Sequence, residues 1–302
     1  MRKHTFAAIA VIALHLSVSA ADGWVEDFQT ALDLAEKQNK DLLLDFTGSD
    51  WCGWCIKLKK EVFDQEAFKK KAPEHFILVE IDFPRKTPVK AANKELGSIF
   101  EVQGYPTIIL TDPQGRAYAR TGYQAGGPEK YLEHLAELRN VKKERDALFA
   151  QAAKEQGVKK AKLLDEALSQ LEAQKVLIGY EDEVEQLKEA DKENKAGLKN
   201  KYLAQEQMED VLKDVSKTRD VKGALTKIDK IITDLNPPGP TKQRLFLVKA
   251  SLLRASQDEK GMLEALTAAQ QADPLSEMGE RLKKAIDEIK KKMAVQPPEK
   301  KQ

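Results

Sequence analysis

Only two of the 302 residues are cysteine, Cys52 and Cys55. So few exclude a small fold stapled by several disulfides. Histidine is nearly as rare, and beyond residue 21 only His75 and His134 remain, far apart and not in ligand-like spacing. A zinc site built on the cysteines would therefore lack two ligands. Excess charge is missing as well: 50 Lys and Arg against 49 Asp and Glu leave a net charge of +1, which argues against a nucleic-acid-binding surface. Aromatic residues make up 6% and charged residues 33%, a balance that suits much solvated helix and a modest aromatic core. The apolar run Phe6 to Leu14 is stopped by His15 and falls short of the roughly 20 residues a membrane-spanning helix needs.

That short run has the flanks of an export signal. Arg2 and Lys3 precede it, and Val18-Ser19-Ala20 or Ser19-Ala20-Ala21 supplies small residues for cleavage. The expectation is a signal peptide over 1–21 and a mature chain starting near Asp22, periplasmic or secreted, with no stable membrane insertion after cleavage. No cysteine follows the leader to carry a lipid. The C-terminal Glu299-Lys300-Lys301-Gln302 is not a retention signal of the Lys-Asp-Glu-Leu kind.

The two cysteines stand at i and i+3 within Trp51-Cys52-Gly53-Trp54-Cys55. Before them, Leu42-Leu43-Leu44-Asp45-Phe46 is the continuous apolar run of a strand buried on both faces. After them, Cys55, Leu58 and Val62 keep helical spacing, with lysines on the outer face. Cys52 thus falls at or near a helix start, where amide N–H groups and the helix dipole stabilise a thiolate. A thiolate attacks disulfides, and a second thiol one turn on releases the mixed disulfide. A structural staple and a metal site are the alternatives. A loop this small removes little chain entropy, so redox chemistry is the preferred reading.

Strand, Trp-Cys-Gly-x-Cys and helix, followed downstream by Gly104-Tyr105-Pro106-Thr107, resemble the active site of the thioredoxin superfamily over roughly Trp24 to Asn140. The resemblance implies a cis Pro106 lying against the cysteine pair and a Tyr105 backbone left to pair with an extended substrate segment. It further implies an acid beneath the second cysteine that shuttles its proton. Asp45 matches that acid by position, though Thr47-Gly48-Ser49-Asp50 is one residue longer than the shortest family pattern. The alternatives are an Asp45 that points to water at the strand end, and Asp50 in its place. An ordinary trans proline is the alternative at 106.

Along the chain, Val25, Phe28, Ala31, Leu32 and Ala35 predict an opening helix over Trp24–Gln38. Gln65–Lys71 reads as a short helix stopped by Pro73, and Phe76–Ile81 as a second buried strand. Phe83–Pro88 is a loop, and Val89–Val102 a helix interrupted near Gly97. Thr107–Leu110 follows as a strand. Asp112–Gly115 is a turn, and Arg116–Thr121 an edge strand whose arginines suit exposure. Gly126–Glu129 starts another helix. This is the order of a thioredoxin-like α/β fold with its first strand short or missing.

Beyond about Asn140 no strand-like run survives. Leucine, valine and isoleucine keep helical spacing between breaks such as Gly179, Asn236-Pro237-Pro238 and Asp273-Pro274, which predicts helical hairpins. Glu264 to Pro274 weakly resembles a tetratricopeptide second helix with its closing proline. The expected organisation is a thioredoxin-like domain over 22–140, an all-α helical-hairpin domain over 141–295 and a disordered tail over 296–302. Trp54 and Tyr180 are candidates for contact surfaces, Tyr180 also for core.

The resulting expectation is an exported thiol–disulfide oxidoreductase. Cys52 would attack, Cys55 would resolve, Asp45 would accept the proton, and Trp51, Gly53, Trp54, Tyr105 and Pro106 would form the surface around the sulfurs. No cofactor or metal is implied beyond the cysteine pair. The partners would be thiols and disulfides of client proteins and a redox-recycling protein. Gly53-Trp54 contains no histidine, so a reductase or isomerase is preferred over a strong oxidant. The alternative is a helical scaffold with the redox fold as its docking module.

Overall fold

The computed structural model describes residues 23–295. The leader expected over 1–21 and the tail expected over 296–302 lie outside the described residues.

Five strands form one sheet in the order β1-β3-β2-β4-β5. Strands β1 (Trp24–Val25), β3 (Phe76–Asp82) and β2 (Asp41–Thr47) run parallel. Strand β4 (Thr107–Thr111) pairs antiparallel with β2, and β5 (Ala117–Thr121) with β4. All seven residues of β2 are buried, as the Leu42-Leu43-Leu44 run predicts for a central strand. Successive side chains leave a strand on opposite faces. On one face Phe46 packs against Phe100, which also meets Phe28 of helix α1 (Phe28–Gln38). On the other, Phe63, Phe68 and Tyr131 gather helices α2 (Gly53–Leu58), α3 (Glu66–Lys71) and α5 (Gly127–Ala152) into an aromatic cluster.

Several expectations need correction. The opening helix starts at Phe28, because Asp27 caps it by accepting the Thr30 N–H at 2.8 Å. Trp24 and Val25 instead pair with Leu78 and Val79. Helix α4 (Ala91–Ile99) is unbroken at Gly97. That glycine lets the Phe83 ring approach, since a Cβ there would lie 2.9 Å from it. Helix α2 continues as a π-turn over Lys59–Phe63, and this wider turn buries both Val62 and Phe63. The edge strand is not an exposed one: Ala117, Tyr118 and Ala119 are buried, and Ala117 N–H donates to Ile178 O. Its arginines have protein partners, Arg116 on Asp112 and Arg120 on the Phe100 carbonyl.

The described chain forms two compact units, one running to Lys143 and taking in Gln170–Gly179, the other holding Glu144–Ser169 and the residues from Tyr180 on. The remaining helices are α6 (Gly157–Ala173), α7 (Glu181–Ala190), α8 (Leu198–Thr218), α9 (Val221–Leu235), α10 (Gly239–Ala255), α11 (Glu259–Ala272) and α12 (Glu277–Val295). Met208 and Val211 of α8, Ile228 and Ile231 of α9, and Leu245 and Leu252 of α10 share one apolar core. Phe246 and Leu247 continue it onto Ala269, Leu282 and Ile286 of α11 and α12. Tyr180 is buried and its hydroxyl accepts from Arg145.

Helices α9 and α11 begin alike, with Asp220 accepting the Gly223 N–H and Asp258 the Gly261 N–H. A Cβ at either glycine would run into the capping carboxylate. Replacing Asp220 by Ala should therefore cost about 1 kcal/mol, and by Asn much less. Urea unfolding followed by circular dichroism measures this; equal losses for the two variants would show that the cap contributes nothing.

Candidate active site

Strand β2 ends at Thr47, and the chain turns through Gly48–Trp51 into α2. Two carboxylates hold this loop. Asp82 accepts from Ser49 N at 2.9 Å and Ser49 Oγ at 2.6 Å. Asp50 accepts from the N–H groups of Arg85 and Lys86 at 2.9 and 2.8 Å, which hold its carboxyl below the usual carboxylate range. Asp50 is thereby a loop clamp and does not line the space behind Cys55. Gly48 is required because the Trp51 indole lies where its Cβ would be, 2.6 Å away.

Cys52 is the N-cap of α2, with extended backbone, and its Sγ accepts the Cys55 N–H at 3.2 Å. The two cysteines form a disulfide with Cα atoms 5.2 Å apart, and both residues are buried. That N–H, at the positive end of the helix, favours negative charge on the Cys52 sulfur once the bond is open.

Two aromatic walls flank the pair. On one side the Trp51 Nε1–H donates to Phe83 O at 2.7 Å, and its ring meets Tyr105 edge-on at 5.6 Å. Phe83 stacks on Tyr105 at 5.2 Å, and the Arg85 guanidinium lies 4.0 Å over Trp51. On the other side Trp54 is 58% exposed and leans on Tyr123, ring centres 5.2 Å apart. Tyr123 is fixed by its hydroxyl donating to Glu61 at 2.6 Å, and Lys57 lies about 5 Å from both rings. The Tyr105–Pro106 bond is cis, and Thr107 Oγ donates back to Gly104 O at 2.8 Å. Gly53 is exposed, with open space where a Cβ would stand.

Asp45 is buried and does not reach water at the strand end. It lines a cavity of about 420 Å³ together with Cys55, Lys59, Phe63, Trp24 and Glu80. Its Oδ1 has no hydrogen-bond partner. Burial, and then the neighbouring Glu80, push its carboxyl up to about 8, while Lys59 pulls the other way. The structure thus brings Asp45 and Cys55 onto one cavity and the Trp51 and Tyr105 rings into contact. It adds Phe83, Arg85, Tyr123 and Glu80, which sequence reasoning missed. Glu80 had a signal, a lone acid in an apolar strand run, but only the pairing of β2 with β3 shows what it faces. Among the described residues no cluster of three or more His, Cys, Asp or Glu side chains is arranged to hold a metal.

The model of the thioredoxin-like domain family matches residues 28–139. The disulfide bond reductase DsbH of Chlamydia pneumoniae is 35% identical over 122 residues, which cover 39% of this chain and 74% of DsbH. The chain belongs to the thioredoxin-like thiol–disulfide oxidoreductases. Two further members of the family are similar over shorter fractions of their length. The thioredoxin-related protein DsbJ of the same organism is 33% identical over 33% of this chain and 30% of its own length. A protein disulfide-isomerase of Zea mays is 31% identical over 31% of this chain and 16% of its own length.

The buried acid has a measurable signature. Between the ordinary 3.8 and the folded value of about 8, the unfolded chain has lost the Asp45 proton and the folded chain keeps it. Wild-type stability therefore falls as pH rises through that window. Oxidised Asp45→Asn escapes this loss, so its advantage over wild type should grow by up to about 1.4 kcal/mol per pH unit and vanish in acid. Thermal or urea unfolding across the window tests it; a pH-independent difference would contradict it.

Proposed function

We propose that this chain is an exported enzyme that reduces or isomerises disulfides of client proteins through Cys52 and Cys55. The observation that carries this reading is the position of Cys52, capping α2 between two aromatic walls, with Cys55 turned toward a cavity that holds a protonatable carboxylate. The Cys52 thiolate attacks a client disulfide, forming a mixed disulfide and expelling one client thiolate. The Cys55 thiol then gives its proton to ionised Asp45, and its sulfur bonds to Cys52. The second client sulfur leaves with the electron pair of the broken bond. The client is reduced and the cysteine pair oxidised, to be reset by a dithiol reductant.

Trp51, Trp54, Gly53 and the Tyr105–Pro106 bend form the client surface in this scheme. Backbone pairing at Tyr105 would make recognition tolerant of client sequence, and the exposed Trp54 ring would add apolar contact. The reductase direction is supported by the likeness to DsbH. Export is supported by the leader pattern at residues 1–21. The helical unit would hold clients or partners. A groove of about 660 Å³ between α8 and α9, lined by Val211, Ile231 and Leu235 among aspartates and lysines, supports that role, and it is also what favours the scaffold alternative.

Insulin reduction separates the two. Cys52→Ala should fall to background, and Cys55→Ala should accumulate dithiothreitol-sensitive adducts with clients; wild-type rates in Cys52→Ala would leave the scaffold reading standing.

Trp54→Ala should lower kcat/KM for protein disulfides about tenfold, the loss of about 1–2 kcal/mol of binding, and leave a small aromatic disulfide little affected. Equal loss on both substrates would place Trp54 in support of the sulfurs and not in client contact.

A further inference from the structure

Strands β2 and β3 pair in parallel with Asp45 directly opposite Glu80. Neighbouring strands lie about 4.8 Å apart, and residues in register leave the sheet on the same face, so the two side chains start side by side, close enough for the charge of Glu80 to act on Asp45. Both line the cavity that Cys55 closes. The groups around Asp45 come from every neighbouring element. Strand β3 supplies Glu80 and, further off, Asp82. The π-turn supplies Lys59, which is ion-paired to Asp64 at 3.8 Å, with Lys60 also on the cavity wall. Helix α5 contributes Tyr131, whose hydroxyl donates to Gly122 O, and β4 contributes the uncharged Ile108. The buried acid therefore has a second acid as its strand neighbour, and Lys59, the cation that acts on it, is ion-paired to Asp64.

We propose that Glu80 is a positioning residue for the resolving step: its negative charge, held beside Asp45 in the cavity under Cys55, keeps a proton on Asp45 and so limits how readily Asp45 takes the proton of Cys55. This rests on the reading of Asp45 as the proton acceptor. The chemistry is unchanged: the Cys55 Sγ–H proton goes to an Asp45 oxygen, the Cys52–Cys55 bond forms, and the client sulfur leaves as thiolate. What Glu80 changes is the fraction of molecules in which Asp45 is ionised and ready. A proton held on Asp45 also serves the reverse stage. When a reductant opens the disulfide at Cys52, the Cys55 thiolate released can be protonated from Asp45 at once, which makes it a better leaving group. Glu80 thus favours re-reduction of the enzyme at the expense of its fastest discharge onto clients.

The test uses the full chain with Cys52 joined to 5-thio-2-nitrobenzoate, a chromophoric thiol whose own ionisation is complete at every pH used. Stopped-flow absorbance then follows its release by Cys55. Glu80→Gln removes the charge at nearly constant shape, and should move the rise of the rate to lower pH by roughly one unit, giving about fivefold faster release at neutral pH. Glu80→Ala should shift it in the same direction, and Glu80→Asp should restore the wild-type profile. Asp45→Asn should slow release, and in that background Glu80→Gln should change nothing. If neither Glu80→Gln nor Glu80→Ala moves the profile while Asp45→Asn slows release, Glu80 has no part and the reading of Asp45 survives. Acceleration by Glu80→Gln that persists in the Asp45→Asn background would mean that Glu80 acts on the sulfur directly, overturning the proposal. An Asp45→Asn variant that releases at the wild-type rate would sink the reading of Asp45 and the proposal with it.

Discussion

The site depends on the register of one strand. β2 is hydrogen-bonded on both sides, to β3 and β4, and none of its seven residues reaches solvent. A strand in that position cannot slip by one residue, because a slip exchanges the two faces. Phe46 would leave its place against Phe100, and Asp45 would enter that apolar layer unpaired. With the register held, parity alone puts Asp45 on the face where Phe63, Tyr131 and Cys55 lie. The end of the same strand aims the chain at the start of α2. The acid and the sulfurs are thus set by a single element, which fixes the distance between them more firmly than any loop contact could.

The loop between strand and helix is fixed differently, by charge. Asp82 and Asp50 each take two hydrogen bonds across the gap between residues 47–51 and 82–86. This ties the segment before Cys52 to the segment that carries Phe83 and Arg85. The consequence is visible in the two tryptophans. Trp51 has its N–H satisfied and its ring covered by Arg85 and Tyr105, so it is part of the frame. Trp54 has one ring neighbour and is 58% exposed. Large aromatic area left in water next to a reactive pair suits recognition better than stability.

Much of this was readable from residue order because the informative signals are local. A run of buried-type residues, a cysteine spacing and an X-Pro after a glycine each span a few positions. The central strand and the helix start at Cys52 came from such runs, and the bend at Pro106 from the family resemblance that these motifs carry. What was not readable needs partners distant in sequence. Asp50 looked like a rival proton carrier until the amides of Arg85 and Lys86 were found on it. Arg116 and Arg120 looked like a wet edge, yet Ile178 covers β5 and both arginines bond back to the chain. The π-turn escaped because Cys55, Leu58, Val62 and Phe63 all fall on one face of an ordinary helix, so the spacing carries no sign of the wider turn. Glu80 escaped for the same reason as Asp50, since strand pairing is invisible to periodicity.

The buried acids elsewhere in the molecule sharpen the meaning of Asp45. Asp41 is met by Lys142, Arg139 and the Tyr118 hydroxyl. Asp112 accepts from Gln114 N, Arg116 N and Arg116 Nε. Asp191 accepts from the N–H groups of Ala196, Leu198 and Lys199. Each satisfies the rule that a buried carboxylate needs compensation. Asp45 departs from it, with an oxygen left unpartnered and a second carboxylate beside it. This fold can supply cations and amides to a buried acid, and among the described residues it does so for Asp41, Asp112 and Asp191. Leaving one acid uncompensated lowers stability at neutral pH, a loss that makes sense where the proton has work to do. Among the described residues the one such position lies beside the Cys55 sulfur, the resolving one in the proposed mechanism, and that coincidence would tie the electrostatics of β2 to the chemistry of Cys55.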